Sequence, residues 1–457
     1  MKSACLLLLA ALLSTTHAQQ PVGDGVADDT AAIQKLIDTS GSVRLAKGTY
    51  RLTGTLKIDL SKTGFTALTG DGTARLLMTG AGPALHFIGT HEGTAAPETI
   101  KAGVWDTQRT PMVDGLEIVG ANPAADGIEA TGTLQLTLRG VTVRECRHGV
   151  HLTTRNRNLL IADCHIYHNT GAGVFFDHVN LHQSNIVGSH ISYNGGGGVV
   201  SVGGEVRNLQ IGTCDIEGNH AVGGPPSANV LLDSTGGSIA EVAITGCTLQ
   251  HTHKAPGSAN IRILGAGTDA SLVRRGGDPH THEGNVTISA NVFSDVQVNI
   301  DIHGARGVAI TGNTFWEGFE HDLVVAESSH VVVSANNFDR NPRYLVNGND
   351  NAEKNGLAFQ RCEDCGISDN LISGVWKQRA ALDVESCRRL RITNNSIVDS
   401  DGAGLRLEKV SASLITGNLI RDDRPAPTRN PEAPLVAIES ADNLIELNLL
   451  GTPPKDH

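Results

Sequence analysis

Aromatic residues, methionine and net positive charge are scarce or absent in this sequence of 457 residues. Phe, Trp and Tyr make up only 4% of it and methionine occurs 3 times, whereas glycine occurs 53 times. This balance favours many short strands joined by tight turns and argues against a helical bundle. The formal net charge of −12 offers no basic face for phosphate groups, so we expect no nucleic-acid partner.

Long hydrophobic runs are also missing beyond the first residues. The apolar run from Leu6 to Leu13 is too short to span a bilayer. It follows Lys2 and ends near Ala18, a pattern typical of a secretory signal peptide. We therefore predict a cleaved signal over residues 1–18, no membrane span, and export to the periplasm or beyond. Residues 19–457 are then expected to form one domain.

Short segments repeat along this domain, with Val150 and Val174 separated by 24 residues and Val174 and Val199 by 25. Each repeat holds at least two short strands with alternating apolar residues, a unit too small to bury one face alone. Stacking the repeats predicts an all-β, right-handed parallel β-helix. The first column of matching segments starts at Val150, Val174, Val199, Val230, Ile261, Ile300, Leu323, Leu357, Leu382, Leu405 and Val436.

One turn position in the second column of strands carries small polar residues. Stacked asparagines there could hydrogen-bond one another from coil to coil, so we interpret the line as structural and its cysteines as buried fillers. Cys362 and Cys387 should also stack, about 4.8 Å apart, where a disulfide could form in an exported protein. The line comprises Cys164, Ser189, Cys214, Cys247, Asn291, Asn313, Asn336, Asn370, Asn395, Asn418 and Asn448.

The stretch GDGVADDTAAIQ, starting at Gly23, predicts the cap of the solenoid. Residues 30–38 place Ile33, Leu36 and Ile37 on one helical face, with Asp28 or Asp29 as N-cap. A short helix there would cover the open end of the strand stack. We assign the cap to residues 19–60 and the coils to about residues 110–450.

With the VRLAKGTYRL that follows at 43–52, this stretch resembles the N-terminal signature of the pectate-lyase superfamily of right-handed β-helix proteins. The resemblance implies a polysaccharide or oligosaccharide substrate and several chemistries: polysaccharide lyases, polygalacturonase-type hydrolases, mannuronan C5-epimerases and phage tailspikes. The hydrolase branch usually has an Asn-Thr-Asp strand, an Asp-Asp pair and a His-Gly dipeptide. This sequence lacks the Asn-Thr-Asp strand, and its His148-Gly149 occurs without the other two in order. Asp301 and His303 copy the epimerase spacing of an outward Asp and His on one strand.

The outward positions of the first strand column carry the candidate catalytic residues, because the alternate positions are apolar and must face inward. These candidates are His151, Asp177, Asp233, Arg262, Asp301 and His303. We favour β-elimination from a uronate-containing glycan, with Arg262 holding the sugar carboxylate and His303 or His151 as base. Asp301 would orient the base, and Asp177 and Asp233 could supply oxygen ligands to Ca²⁺.

Three other functions remain open for the same surface. The first is hydrolysis by paired carboxylates. Asp177 and Asp233 lie two coils apart, about 9.6 Å on strand spacing, which is at the wide end of the carboxylate separation in inverting glycosidases. A C5-epimerase would share the elimination machinery. A carbohydrate-binding β-helix without catalytic activity would need no acid–base cluster.

Insertions between strands are expected to build the walls of the groove. Residues 265–284 carry Arg274 and Arg275, and residues 90–110 carry Trp105. We predict that these three residues and the outward Arg406 bind substrate. The histidines at 165, 168 and 190 lie near predicted turns and are interpreted as polar surface. The glycan and the oligomeric state stay open.

Overall fold

Parallel strands stacked coil upon coil form three long sheets around one apolar core. The computed structural model describes residues 20–94, 96–267, 281–342, 352–425, 428–429 and 432–451. The predicted signal peptide and the candidates Arg274 and Arg275 lie outside these ranges. Within them, no helix is both long and apolar enough to cross a membrane.

The first sheet contains the predicted first column of strands, and its outer surface is the candidate groove. Its strands are Leu56–Asp59, Gly82–Ile88, Ala125–Thr131, Val150–Ala162, Ala172–Val187, Gly197–Val202, Ala228–Asp233, Ala259–Leu264, Val296–His303, Gly318–Ala326, Gly356–Gln360, Ala380–Glu385, Ala403–Glu408 and Leu435–Ile438. The long strands that start at Val150 and Ala172 continue through a bend into the second sheet.

The second and third sheets complete each coil. The second consists of Ser42–Arg44, Ala67–Met78, Met112–Gly120, Thr133–Leu134, Thr137–Arg139, Glu205–Gly212, Ser238–Ile239, Val242–Thr245, Gly284–Ser289, Arg306–Thr311, Ser329–Ser334, Gly366–Ser368, Arg391–Thr393, Leu414–Thr416 and Leu444–Glu446. The third consists of Asp24–Asp28, Gly48–Leu52, Thr142–Arg144, His165–Tyr167, His190–Ser192, Asp215–Glu217, Thr248–Gln250, Val292–Phe293, Thr314–Phe315, Asn337–Phe338, Leu371–Ser373, Ser396–Val398, Leu419–Arg421 and Leu449–Leu450. Ala67–Met78 and Met112–Gly120 bend from the second sheet into the third.

The predicted register of the first sheet is confirmed from Val150 to Leu405. In the last coil the prediction is wrong by one residue, because Leu405 pairs with Leu435 and not with Val436. The side chains of Ala437 and Ile438 are exposed. Burial therefore does not define an inward face in this coil, and alternation cannot fix its register.

The N-terminal helix, Thr30–Ser40, lies where the cap was expected and buries Ile33 and Ile37. Its N-cap is Asp29, but the Asp29 carboxylate instead accepts from the N–H groups of Val22 and Gly23, at 2.6 and 3.1 Å. Asp28 receives the N–H of Thr30 at 3.1 Å. A short helix at Leu60–Thr63, a 3-10 turn at Pro97–Thr99 and a π-helical turn at Val104–Gln108 follow.

The predicted line of asparagines is a continuous hydrogen-bonded ladder. Asn336 shows the pattern: its Oδ1 accepts from Nδ2 of Asn313, and its own Nδ2 donates to Oδ1 of Asn370, both at 3.0 Å. The Nδ2 group also donates to a backbone carbonyl of the coil before, at 3.0 Å. The ladder therefore satisfies buried polar groups at every coil.

The seven described cysteines are buried and free. Cys164, Cys214 and Cys247 fill the ladder position, as predicted. Cys362 and Cys387 stack on adjacent coils, as expected, and both are free thiols, so the disulfide that could form there is not present. Each thiol donates to a backbone carbonyl of its own coil, that of Gln360 at 3.3 Å for Cys362 and that of Glu385 at 3.2 Å for Cys387.

A second polar ladder, which the sequence pattern did not reveal, runs inside the solenoid, first through the turns before the first-sheet strands and then within those strands. Its members are Asn169, Asn194, Asn219, Asn229, Asn260, Asn299 and finally Asp322. All are buried. The ladder therefore ends on a carboxyl group enclosed in the core.

Candidate active site

The groove of the first sheet places charged side chains in two clusters. Each cluster lies near the end of its strands, where the chain turns through a residue with positive φ, such as His178 at 46° and Gly304 at 64°. This bend brings the last outward side chain of the strand beside the turn. We call the clusters the Asp301 cluster and the Asp177 cluster.

The Asp301 cluster joins two adjacent coils. Arg262 and Asp301 are register partners, and Arg262 Nε donates to Asp301 Oδ2 at 2.8 Å. His303, two residues along the same strand, contacts the other carboxylate oxygen with its Nε2 at 2.8 Å. The Asp301 side chain is only 12% exposed, whereas that of His303 is 47% exposed. A buried carboxylate therefore holds a histidine that solvent and ligand can reach.

The hydrogen bonds of this cluster set its protonation. Burial acts to raise the pKa of Asp301, but the hydrogen bond from His303 and the ion pair with Arg262 outweigh it and hold that pKa below its usual value. The hydrogen bond to Asp301 raises the pKa of His303 above that of free histidine. Because an ionised carboxylate only accepts, neutral His303 carries its proton on Nε2 and leaves Nδ1 as the basic atom.

Arg262 is committed to the protein at all three of its nitrogens. Besides Asp301, its Nη2 donates to the carbonyl of Gly257 at 2.7 Å and its Nη1 to that of Ser227 at 3.4 Å. The side chain is 14% exposed. The geometry therefore makes Arg262 a clamp on Asp301, which differs from the carboxylate-binding role that the sequence suggested.

The Asp177 cluster holds one carboxylate between two histidines. His151 Nε2 lies 3.0 Å from Asp177 Oδ2, and His178 Nδ1 lies 2.8 Å from Asp177 Oδ1. His151 stacks on Phe175, with ring centroids 5.2 Å apart, and its Nδ1 is buried without a partner among the described residues. Burial acts to raise the pKa of Asp177, but the hydrogen bonds from the two histidines lower it overall.

Three coils, which carry Val202, Asp233 and Leu264, separate the two clusters. The register runs from Asp177 through Val202, Asp233 and Leu264 to His303. Four steps at the spacing of neighbouring strands correspond to about 19 Å. Both clusters therefore face one groove, but they are too far apart to act on the same bond.

Three predicted site residues lie outside both clusters. Asp233 accepts from the N–H of Thr235 at 2.9 Å, a local turn contact. Arg406 is paired with Asp383 and Glu408 within one network of charges. Trp105 is 42% exposed and stacks under the guanidinium of Arg109, 4.9 Å from the ring centroid.

The carboxylates of Asp177 and Asp233 do not form a common Ca²⁺ site. Val202 lies between them in the register, which separates their strand positions by about 9.6 Å. Two oxygens on one Ca²⁺ at about 2.3–2.6 Å can be at most about 5 Å apart. Both oxygens of Asp177 are also engaged by histidines.

The sequence analysis did not assign His178 to the site, because neighbouring residues of a regular strand face opposite sides. Its positive φ turns the ring back to Asp177, and its side chain is 68% exposed.

The sequence pattern also did not identify the pair of His86 and Glu129 on the first sheet. They are register partners on the coils before, with Nε2 and Oε1 3.5 Å apart. Extending the outward line of the first sheet toward the N-terminus would have found this pair.

Two segments of the chain match known protein families, in agreement with the stacked parallel coils. Residues 104–249 match the family described as the right handed beta helix region, and residues 344–451 match the family described as periplasmic copper-binding protein (NosD). The family matches and the stacked coils together show that the chain has the right-handed parallel β-helix fold. A search of curated proteins found no significant match to this β-helix protein.

Solved structures share the fold at low sequence identity. Dettilon tailspike protein (gp208) is 14% identical, with 91% of this chain and 66% of that chain covered and a TM-score of 0.52. Pre-mature bacteriophage phi29 gene product 12 is also 14% identical, with coverage of 92% and 56% and a TM-score of 0.56. The β-helix protein thus spans less than two thirds of each of these chains. The A-module of Azotobacter vinelandii mannuronan C-5 epimerase AlgE6 is 16% identical over 95% of this chain and 98% of that chain, with a TM-score of 0.43.

Proposed function

We propose that this β-helix protein is an exported enzyme that cleaves a uronate-containing polysaccharide by β-elimination. The observation that carries the proposal is the Asp301 cluster: a half-exposed histidine fixed by a buried, ionised aspartate on the outer face of the first sheet. A groove along a solenoid suits a long polymer. The predicted signal peptide supports export.

In this proposal His303 is the base. Its Nδ1 takes the proton from C5 of the uronate, and the electron pair forms the C4–C5 double bond as the C4–O bond breaks. The imidazolium so formed, stabilised by Asp301, carries the proton that the leaving oxygen needs. Asp301 fixes the tautomer and the ring orientation of His303, and Arg262 holds Asp301 in place.

The sugar carboxylate must be neutralised for C5 to become acidic. Arg262 is occupied by protein acceptors, so we propose Arg274 and Arg275 for this role. They belong to the insertion between Ala266–Gly267 and Thr281–His282, two short strands that pair antiparallel just after the first-sheet strand that ends at Leu264. Trp105 and the Asp177 cluster would bind sugars further along the groove.

The pKa directions favour elimination over hydrolysis. A glycosidase keeps one carboxylic acid protonated through a raised pKa, whereas the pKa values of Asp177 and Asp301 are both lowered. Hydrolysis remains the second candidate because Asp177 and Asp233 stand two coils apart, about 9.6 Å. An inverting pair is about 6.5–9.5 Å apart.

The first test is the ultraviolet absorbance of the unsaturated uronate product. The mature protein is mixed with pectate, alginate, glucuronan and glycosaminoglycans, with Ca²⁺ and separately with EDTA. We expect rising absorbance on one glycan, and a fall of about 10²–10⁴-fold for His303→Gln. His330→Asn, which changes an exposed histidine of the second sheet, is the matched control and should leave the rate unchanged.

Two results would contradict the proposal. New reducing ends without absorbance would indicate hydrolysis, and Asp177→Asn and Asp233→Asn would then be the decisive variants. Full activity in His303→Gln would remove the Asp301 cluster from the reaction, even if the enzyme proved to be a lyase.

A further inference from the structure

The third sheet carries a cluster of metal-ligating side chains on a different face from the groove. His190 and Asp215 are register partners on adjacent coils, and Glu217 follows Asp215 by two residues on the same strand. His165 and His190 each begin a three-residue strand directly after a turn. All three side chains of the cluster point outward, since Ile191 and Ile216 between them are buried.

The distances in this cluster match those of ligands around one small divalent ion. His190 Nε2 lies 3.5 Å from Asp215 Oδ2 and 3.5 Å from Glu217 Oε1, and one ligand atom from each residue lies within 4.8 Å of the others. Nitrogen and oxygen ligands about 2.0–2.1 Å from a tetrahedral Zn²⁺ are about 3.3 Å apart. The two distances from His190 Nε2 are thus within a few tenths of an ångström of that ligand spacing.

Neighbouring coils orient the two carboxylates, as outer-shell partners do in metal sites. Glu217 Oε2 accepts from Nε2 of Gln250 at 3.0 Å, and Glu217 Oε1 accepts from the hydroxyl of Tyr193 at 3.2 Å. Asp215 Oδ1 accepts from the Thr248 hydroxyl at 3.2 Å. These contacts leave Asp215 Oδ2 and one side of Glu217 directed at the histidine.

The negative charge of the cluster lacks a permanent cation. Within the described ranges, no lysine or arginine forms an ion pair with Asp215 or Glu217, whose charged neighbours are histidines. Other carboxylates on the solenoid surface, such as Glu117 and Asp364, are paired with arginines. Two adjacent carboxylates beside a histidine therefore offer a favourable place for a divalent cation.

We propose that His190, Asp215 and Glu217 bind a first-row divalent transition-metal ion, with Zn²⁺ as the probe. The imidazole nitrogen selects this class over Ca²⁺, which takes oxygen ligands. The Asp215 side chain is 45% exposed and that of His190 34%, so the outer side of the ion is open to water. His165, whose ring centroid is 6.0 Å from that of His190 on the preceding coil, is near enough to be a further ligand after a rotamer change. This site is independent of the proposed polysaccharide lyase activity.

The test is a Zn²⁺ titration of tag-free, EDTA-treated mature protein by calorimetry, followed by the visible spectrum after Co²⁺ replaces Zn²⁺. We expect wild type to bind one ion more than His190→Gln and Asp215→Asn, and these two variants to lack the Co²⁺ bands of a nitrogen–oxygen site that wild type shows. His330→Asn, the control for an exposed histidine elsewhere, should bind like wild type. Thermal unfolding without metal checks that all variants are folded.

Two outcomes would overturn the proposal. One is identical Zn²⁺ stoichiometry and affinity in wild type, His190→Gln and Asp215→Asn. The other is a thermal stabilisation by Ca²⁺ that depends on His190 as strongly as that by Zn²⁺, since this would contradict the transition-metal class.

Discussion

Replacing Asp322 with asparagine is expected to stabilise the protein at neutral and alkaline pH. Asp322 ends the second ladder, where its Oδ1 accepts from Nδ2 of Asn299 at 2.7 Å and its Oδ2 has no partner among the described residues. The residue is 0% exposed. This burial raises its pKa to about 7, against the opposing effects of the Asn299 hydrogen bond and the charge of Arg340.

The magnitude follows from linkage between protonation and folding. The pKa rises from 3.8 in the unfolded chain to about 7 in the folded protein. Between these values the unfolded chain releases the proton and the folded protein retains it, so the free energy of unfolding falls as pH rises through this window. At about 1.36 kcal/mol per pKa unit, the loss reaches about 4 kcal/mol above pH 7. Asparagine cannot ionise and avoids this loss.

The assay compares thermal unfolding midpoints of wild type and Asp322→Asn at about pH 4.5 and about pH 8. The advantage of the variant should be small at the acidic pH and large at the alkaline pH. Asp163→Asn, an exposed residue with positive φ that asparagine also tolerates, is the control and should change stability equally at both. If Asp322→Asn destabilises the protein at alkaline pH, the carboxylate is ionised and compensated by Arg340, and the reasoning is refuted.

Three further changes test the core and the candidate site. Phe315 lies between two other buried rings in a stack, so Phe315→Ala should lower the free energy of unfolding by about 3–5 kcal/mol in urea titrations. Phe65→Ala, at a ring that is 56% exposed, should change it by less than about 0.5 kcal/mol. Asn336→Ala removes the ladder bonds of one coil and leaves buried partners unsatisfied, which should cost about 3 kcal/mol or more. Asp301→Asn replaces the carboxylate whose hydrogen bond and negative charge raise the pKa of His303, so the acidic limb of the kcat/KM profile should move to lower pH as the plateau falls.

Each of these has a contrary result. Equal losses for the buried and the exposed phenylalanine would contradict the packing argument. A loss below about 1 kcal/mol for Asn336→Ala would mean that water replaces the ladder bonds. An acidic limb that stays in place in Asp301→Asn would mean that a group other than His303 sets it.

The sequence was sufficient for features that repeat in every coil. Alternating apolar residues fix which side of a strand is buried, and the outward neighbours Arg262 and Asp301 followed from that. The asparagine ladder of the second sheet was predictable because one residue type recurs at a nearly constant spacing. The other ladder was not, because a loop inside one coil leaves Asn219 and Asn229 only 10 positions apart.

Local backbone geometry and acceptor placement could not be predicted. The positive φ of His178 brings it to Asp177, although a regular strand would direct the two residues apart. The role of Arg262 depends on two backbone carbonyls, those of Ser227 and Gly257, whose position no side-chain pattern reveals. The His190 cluster combines two coils, and its residue types recur nowhere else in the same arrangement within the described third sheet.

The stacking of coils makes distances along the groove discrete. A loop can lengthen or shorten and change the groove wall without moving the Asp177 cluster relative to the Asp301 cluster. Inserting or deleting one whole coil between them would change their separation by one step of about 4.8 Å, with no intermediate value. If one polymer contacts both clusters, a whole number of its sugar units must span about 19 Å, and one coil more or fewer would change that distance by one step.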